Sequence, residues 1–270
     1  MEKNKIGTIN EAGIINNFTK SGYTINHCLG ELIANSIDAL ATDIRFIKSN
    51  NKIYMIDNGS GMNKNNIIHM FDLNRNNHDD EEKMGVSGIG GKIAQYILSK
   101  QTKVKLYTQQ KNKTMYTIVC PWGEIYQTKK YKNMISVKIC HDTIKDKLLQ
   151  HNILTDTRIL DLYKSGTIIE FIDNNIYEEI EKYISPITYD VKNMDVSNMP
   201  QIIFGNIGNV DIYCGTTKMK KYNYFSPKYE FYEKIITLVD IYKDNNTDYI
   251  IRNGFPVNAE PNKIIVKKKN

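Results

Sequence analysis

Apolar positions recur first with a helical period and then with a strand period. From Thr24 to Leu40 they fall at Ile25, Leu29, Leu32, Ile33, Ile37 and Leu40, one face of a helix. Two strands follow, Asp43 to Lys48 and Lys52 to Asp57, with Asn50 and Asn51 at the turn between them. Asp57-Asn58-Gly59-Ser60-Gly61 ends the second strand, and a short helix is expected over 63–71. The polar stretch 74–83 has no period and reads as a loop; a glycine cluster and a helix over 91–98 come after it. The pattern then turns to strands at 103–108, 114–119, 123–127, 134–139 and 166–172, the last apolar enough to be central. Helices followed by a largely antiparallel strand series predict the α+β class: a two-layer α/β sandwich, with one helical layer on a mixed, mostly antiparallel sheet.

Beyond residue 173 the texture changes. A helix is expected over 176–184, a hairpin from 201–204 and 210–213 around Gly205 and Gly208, and an aromatic-rich stretch over 225–242. These features predict a division near 173–190, giving a first domain over 1–173 and a partial α+β subdomain over 174–270. No internal repeat is evident.

Composition narrows the class without choosing a function. The chain has 270 residues, 41% hydrophobic and 24% charged, which is enough apolar material for a real core. Its formal net charge of +6 permits contact with nucleic acid without demanding it. Asn, Lys, Ile and Tyr are abundant throughout, so scattered lysines carry little weight. Cys28, Cys120, Cys140 and Cys214 form no C-x-x-C pair, which predicts neither a zinc site nor a disulfide framework and fits a reducing compartment. His27, His69, His78, His141 and His151 have no metal-ligand spacing, and Trp122 is expected to pack at the edge of the sheet. The polar start lacks a signal-peptide core, and no apolar run reaches the length of a membrane span, so an intracellular protein, cytoplasmic or nuclear, is expected.

Three segments carry candidate chemistry. On the first helix Glu31, Asn35 and Asp38 follow i, i+4, i+7 and make one polar stripe. Asn35 offers a hard carbonyl oxygen suited to Mg²⁺, and Glu31, one turn away, can take a proton from an attacking water. In Asp57-Asn58-Gly59-Ser60-Gly61-Met62 a carboxylate at a strand end is placed to accept an exocyclic amine, and the glycines admit close approach of a ring. In Gly85-Val86-Ser87-Gly88-Ile89-Gly90-Gly91-Lys92 a glycine-rich backbone runs into a helix start, which offers N–H groups to phosphate. Each has a plainer reading when taken alone: a solvated helix face, a common Asp-Asn-Gly turn, a flexible loop. The third is neither a G-x-x-x-x-G-K-[ST] loop nor a dinucleotide fingerprint, because no strand precedes it.

In order and spacing, the three together resemble the motifs of the GHKL ATPases. Glu31 through Ala39 resembles their N box, Asp57-x-Gly59-x-Gly61-Met62 the first glycine box, and Gly85-x-x-Gly88-x-Gly90-x-Lys92-x-Ala94 the second. Gly166-Thr167, ahead of Ile168–Ile172, resembles the last motif near the adenine, so the resemblance spans about residues 24–172.

That resemblance implies a Bergerat fold with ATP held between the helical layer and the sheet. It implies Glu31 as general base, Asn35 as Mg²⁺ ligand, and Asp57 reading the adenine amine, directly and through water shared with Thr167. Gly59, Gly61 and Met62 would lie by the base, and Gly85, Val86, Ser87, Gly88, Ile89, Gly90, Gly91 and Lys92 would belong to the lid over the phosphates. Asp38 would order the helix or nearby waters. The N-box glutamate points to the hydrolytic branches (type II topoisomerases, MutL, the heat-shock chaperone, MORC). No phosphoacceptor-histidine segment is read before residue 24, which counts against the kinases. By position alone, Lys218, Lys220 and Lys221 are candidates for a lysine reaching the γ-phosphate, against the plainer reading of surface lysines. The expected activity is slow, Mg²⁺-dependent ATP hydrolysis in which lid closure over about 73–90 drives self-association as a homodimer, with DNA as a possible partner by analogy. Two rivals stay open: an ATP-binding regulatory or structural module that does not hydrolyse, and a nucleic-acid module without nucleotide chemistry.

Overall fold

The computed structural model describes residues 23–71, 89–100, 102–128, 130–131, 134–173, 175–184 and 210–219, the single positions 13 and 17, and the backbone of 241–244, 247–252 and 255–256. The described residues up to 219 form one compact unit and those from 241 a second.

In the first unit, helix α1 (Ile25–Asp38) begins at a capping box: Thr24 Oγ1 accepts the His27 N–H at 3.3 Å and His27 Nδ1 accepts the Thr24 N–H at 3.2 Å. The helix stops at Asp38 because Leu40 turns left-handed, with φ +61°, and Leu40 is 82% exposed. Leu40 is therefore not on the apolar face assigned to it; Cys28 and Ser36 are buried there instead. Strands β1 (Asp43–Ser49) and β2 (Lys52–Asp57) form the expected hairpin, with Asn50 at φ +56°. Helix α2 (Lys64–Met70) is capped by Asn63, and α3 (Gly90–Leu98) packs beside α1.

Strands β3 (Val104–Gln109) and β4 (Met115–Cys120) pair antiparallel. The strand expected at 123–127 is instead helix α4 (Trp122–Thr128). Pro121 precedes it, its carbonyl accepts the Ile125 N–H at 3.0 Å, and the buried pair Trp122 and Ile125 follows helical spacing. Trp122 is accordingly not at a sheet edge; it is fully buried, with its ring edge-on to Tyr96 at 6.1 Å. Strand β5 (Ser136–Cys140) completes the outer meander, followed by short helices α5 (Ile144–Gln150) and α6 (Thr157–Leu160), the central strand β6 (Gly166–Ile172) and helix α7 (Ile176–Ile184).

The eight strands run in the order β5-β4-β3-β6-β2-β1-β7-β8, where β7 is Asp211–Cys214 and β8 Thr217–Lys218. All pairs are antiparallel except β1 with β7. This is the expected mixed, mostly antiparallel sheet of an α+β sandwich. The division expected near 173–190 does not coincide with a break in the packing, since β7 pairs with β1 and α7 packs on α1. Of the hairpin expected from 201–204 and 210–213, the first arm lies outside the described residues; β7 turns into β8 instead.

Alternation along the strands separates two cores. Ile53 and Met55 of β2, with Ile169 and Phe171 of β6, face the layer of α1, α3 and α7. Tyr54 and Ile56, with Ile168, face the opposite side, where Ile144 and Leu148 of α5 and Leu160 of α6 cover part of the sheet. Two buried polar clusters sit on this second face. Arg45 makes a two-point ion pair with Asp43, at 2.6 and 2.8 Å, while the Tyr163 hydroxyl donates to Asp43 at 2.5 Å and the Tyr213 ring lies 4.0 Å from the guanidinium. Glu170 takes Lys52 at 2.7 Å and the Tyr107 hydroxyl at 3.2 Å.

In the second unit, β9 (Ile241–Asp244), β10 (Thr247–Arg252) and β11 (Phe255–Pro256) form a three-stranded antiparallel sheet.

Candidate functional site

The site lies where the helical layer meets the ends of β2, β6 and β3. Asp57 is the last residue of β2, and its side chain points toward α1, in phase with Ile53 and Met55. It is 7% exposed, and every group that holds it is a neutral donor: the Gly59 N–H at 2.9 Å, the Ser36 hydroxyl at 3.2 Å and the Thr167 N–H. Burial pushes its carboxyl up to about 6, against the pull of those three donors. Asp57 is thus a strong acceptor without a cation among the groups that hold it.

Two glycines bring backbones together here. Gly61 has φ +67°, and a Cβ on it would overlap the Gln109 carbonyl. Gly166 has φ +144°, and a Cβ on it would overlap the carbonyl of Asp57. With Gly166 so close, Thr167 stands in register beside Asp57. The Asp57 turn is also tied to the start of β1. Asn58 Oδ1 accepts the Thr42 and Asp43 N–H groups at 2.8 and 2.9 Å, and the Ser60 N–H reaches the Ala39 carbonyl at 2.8 Å. Gly59 fits under this tie; a Cβ would stand 2.8 Å from the Ala39 oxygen.

The polar stripe of α1 meets the first turn of α3. Glu31 lies against Gly90 and accepts the Tyr23 hydroxyl at 3.3 Å. Burial, and then the charge of Glu31, push that hydroxyl up to about 12, so it stays a donor. Asn35 is exposed, and its Nδ2 would lie 2.9 Å from a Cβ on Gly91. Ile89, the cap residue of α3, makes no side-chain cap hydrogen bond. Asp38 is half-buried in the last turn of α1, and Lys92 is a buried lysine, 1% exposed. Gly85, Val86, Ser87 and Gly88 lie outside the described residues.

The structure therefore brings Glu31, Asn35, Gly90 and Gly91 together at one place, and Asp57, Gly59, Gly61, Met62 and Thr167 at another along the same helix. Two hydroxyls in the second group were not singled out from the sequence. Ser36 sits beside Asn35 but on the buried flank of α1. Thr108 is fully buried on β3, where its Oγ1 accepts the Met62 N–H at 2.9 Å. Thr108 is the polar member of an inward series, Val104, Leu106, Thr108, and that break in alternation was the available signal. Lys218, by contrast, pairs with Asp211 at 2.7 Å and lies by the Tyr213 ring, on the sheet face away from Asp57; Lys220 and Lys221 lie outside the described residues.

Among the described residues no group of His, Cys, Asp or Glu forms a metal cage, and no helix is long and apolar enough to cross a membrane. Residues 23–150 match the family model described as histidine kinase-, DNA gyrase B-, and HSP90-like ATPase. Among curated proteins none matches the chain.

Proposed function

We propose, for a chain whose residues 23–150 match the model of the histidine kinase-, DNA gyrase B-, and HSP90-like ATPases, that it binds Mg·ATP in this site and hydrolyses it slowly. ATP binding is what the family supports; the residue roles and the hydrolysis are our reading. The observation that carries it is the buried Asp57 carboxylate, held only by neutral donors. Such a group is a poor structural ion and a good acceptor for the exocyclic amine of adenine. Thr167 stands beside it, in register across the β2–β6 pair. One α-helical turn separates Glu31 from Asn35, and both lie against the first turn of α3, at Gly90 and Gly91, which suits the phosphate end.

The donor set fits a magnesium nucleotide. Asn35 offers one neutral oxygen and is exposed, as suits an ion that keeps most of its waters. Bound there, Mg²⁺ would offset charge on the phosphate chain. Glu31, held by Tyr23, accepts the proton of the attacking water as general base. The N–H groups of Gly90 and Gly91 take phosphate oxygens. Closure of the segment around 73–90, self-association and contact with DNA are finer parts of this reading, resting on the motif resemblance and the +6 charge.

One observation favours a second reading, an ATP-binding regulatory module without turnover. Lys218 is engaged with Asp211 on the far face of the sheet and does not serve the phosphates. The deciding experiment measures phosphate release from Mg·ATP by wild type and Glu31→Ala, with nucleotide affinity measured on the same samples. Turnover by wild type alone, with binding by both, supports hydrolysis and the base. Binding by both without turnover selects the second reading. Binding by neither refutes both.

A further inference from the structure

We infer that Thr108, outside every motif discussed above, selects adenine over a 6-oxo purine by fixing the Thr167 hydroxyl as an acceptor toward the base. The inference rests on the adenine-site reading of Asp57 and adds to it a residue and a selectivity.

Thr108 Oγ1 lies within hydrogen-bond reach of three groups: the Met62 N–H at 2.9 Å, the Gly166 carbonyl at 3.3 Å and the Thr167 hydroxyl at 3.2 Å. A threonine hydroxyl has one proton to give and two lone pairs to receive. The Met62 N–H can only donate, so it occupies one lone pair. The Gly166 carbonyl can only accept, so all three contacts are hydrogen bonds together only when it takes the single Thr108 proton. What remains on Thr108 is one lone pair, and the neighbour left to fill it is the Thr167 hydroxyl proton. Thr167 is then turned with its proton toward Thr108 and its lone pairs outward, beside the Asp57 carboxylate with which it is in register.

The edge of the site thus presents acceptors on both sides. The amine of adenine offers two N–H donors to them; hypoxanthine or guanine sets a carbonyl, an acceptor, in the amine's place and keeps only its N1–H to donate. Thr108 is fully buried, so its own three bonds are completed within the protein. The same hydroxyl ties the turn at Met62 to the start of β6 at Gly166, so base selectivity and site geometry share one atom.

The test is calorimetric titration of wild type, Thr108→Val, Thr108→Ser and Thr167→Val with Mg·ATP and Mg·ITP, with thermal melts of each. In wild type ATP binds more tightly than ITP. Thr108→Val keeps the shape but frees the Thr167 proton, and the ATP-to-ITP preference falls about tenfold, the size of one hydrogen bond. Thr108→Ser keeps the preference within about twofold of wild type, since it restores the same donor and acceptors. Thr167→Val lowers it as Thr108→Val does, and this variant decides the matter if Thr108→Val does not fold. An unchanged preference in either valine variant, or a preference lost in Thr108→Ser, overturns the inference while leaving nucleotide binding intact. Failure of wild type to bind ATP overturns it together with the site reading, and is told apart by that measurement alone.

Discussion

The Glu31 carboxylate occupies the space in which a side chain on residue 90 would begin: a Cβ added to Gly90 would overlap Oε2. The α1 stripe and the α3 start are therefore fitted to each other at a single carboxylate. Ordinarily, alanine in place of a helical glycine stabilises by up to about 1 kcal/mol. Here Gly90→Ala has to displace Glu31, and the expected outcome is no gain in stability together with a loss of ATP turnover on the order of 100-fold. Denaturant melts and phosphate release on the same variant check it; wild-type turnover in Gly90→Ala would show that the position of Glu31 does not matter.

Asp57 gives a pH dependence with a definite sign. Its carboxyl sits at about 6 in the folded chain against an ordinary value of 3.8. A proton is held more tightly folded than unfolded, so the contribution of Asp57 to stability is present below pH 4 and lost as the pH rises through 6. The loss is about 3 kcal/mol. Urea unfolding of wild type and Asp57→Asn at pH 4 and pH 7.5 isolates it: the variant gains on wild type by about that amount at the higher pH. On the adenine-site proposal ATP opposes the loss, because the adenine amine would favour the ionised carboxylate.

Much of this was visible as pattern. The period of α1, the β1–β2 hairpin and the apolar run of β6 specify the elements that frame the site, and the glycines at 59, 61 and 166 mark where backbones close on one another, while Gly90 marks where a backbone meets the Glu31 side chain. Less legible was whatever depended on the third dimension. Ser36 and Asn35 are neighbours in sequence, yet one serves Asp57 and the other faces solvent, and only the packing of α1 on β2 separates them. Trp122 to Thr128 carries both strand-forming residues and a helical pair at i, i+3; burial of Trp122 against Tyr96 chose the helix. Helices α5 and α6 are too short for their period to stand out, although Thr143 and Asp146 form a capping box that marks the start of α5.

The Asp43–Arg45 pair lies on β1, whose first residue, Asp43, anchors Asn58. Both side chains are nearly buried, at 7% and 10% exposure. Arg45→Met removes the partner and leaves Asp43 with Tyr163 alone, at an expected cost of about 3–5 kcal/mol. Adding Asp43→Asn to that variant recovers part of it, since no buried charge is left. Chemical denaturation of the two variants decides this; equal stability of Arg45→Met and wild type would place the pair in effectively aqueous surroundings.

Strand β6 lies between β3 and β2, although it is made more than fifty residues after the first of them and more than a hundred after the second. Until residue 172 is available, β2 and β3 have no neighbour in common and Asp57 has no Thr167. On a ribosome, the earlier hairpins can form as they emerge, but the two halves of the sheet wait for one late strand to slide between them. For nucleotide bound at the proposed site, the first chance to assist folding would come with the arrival of β6.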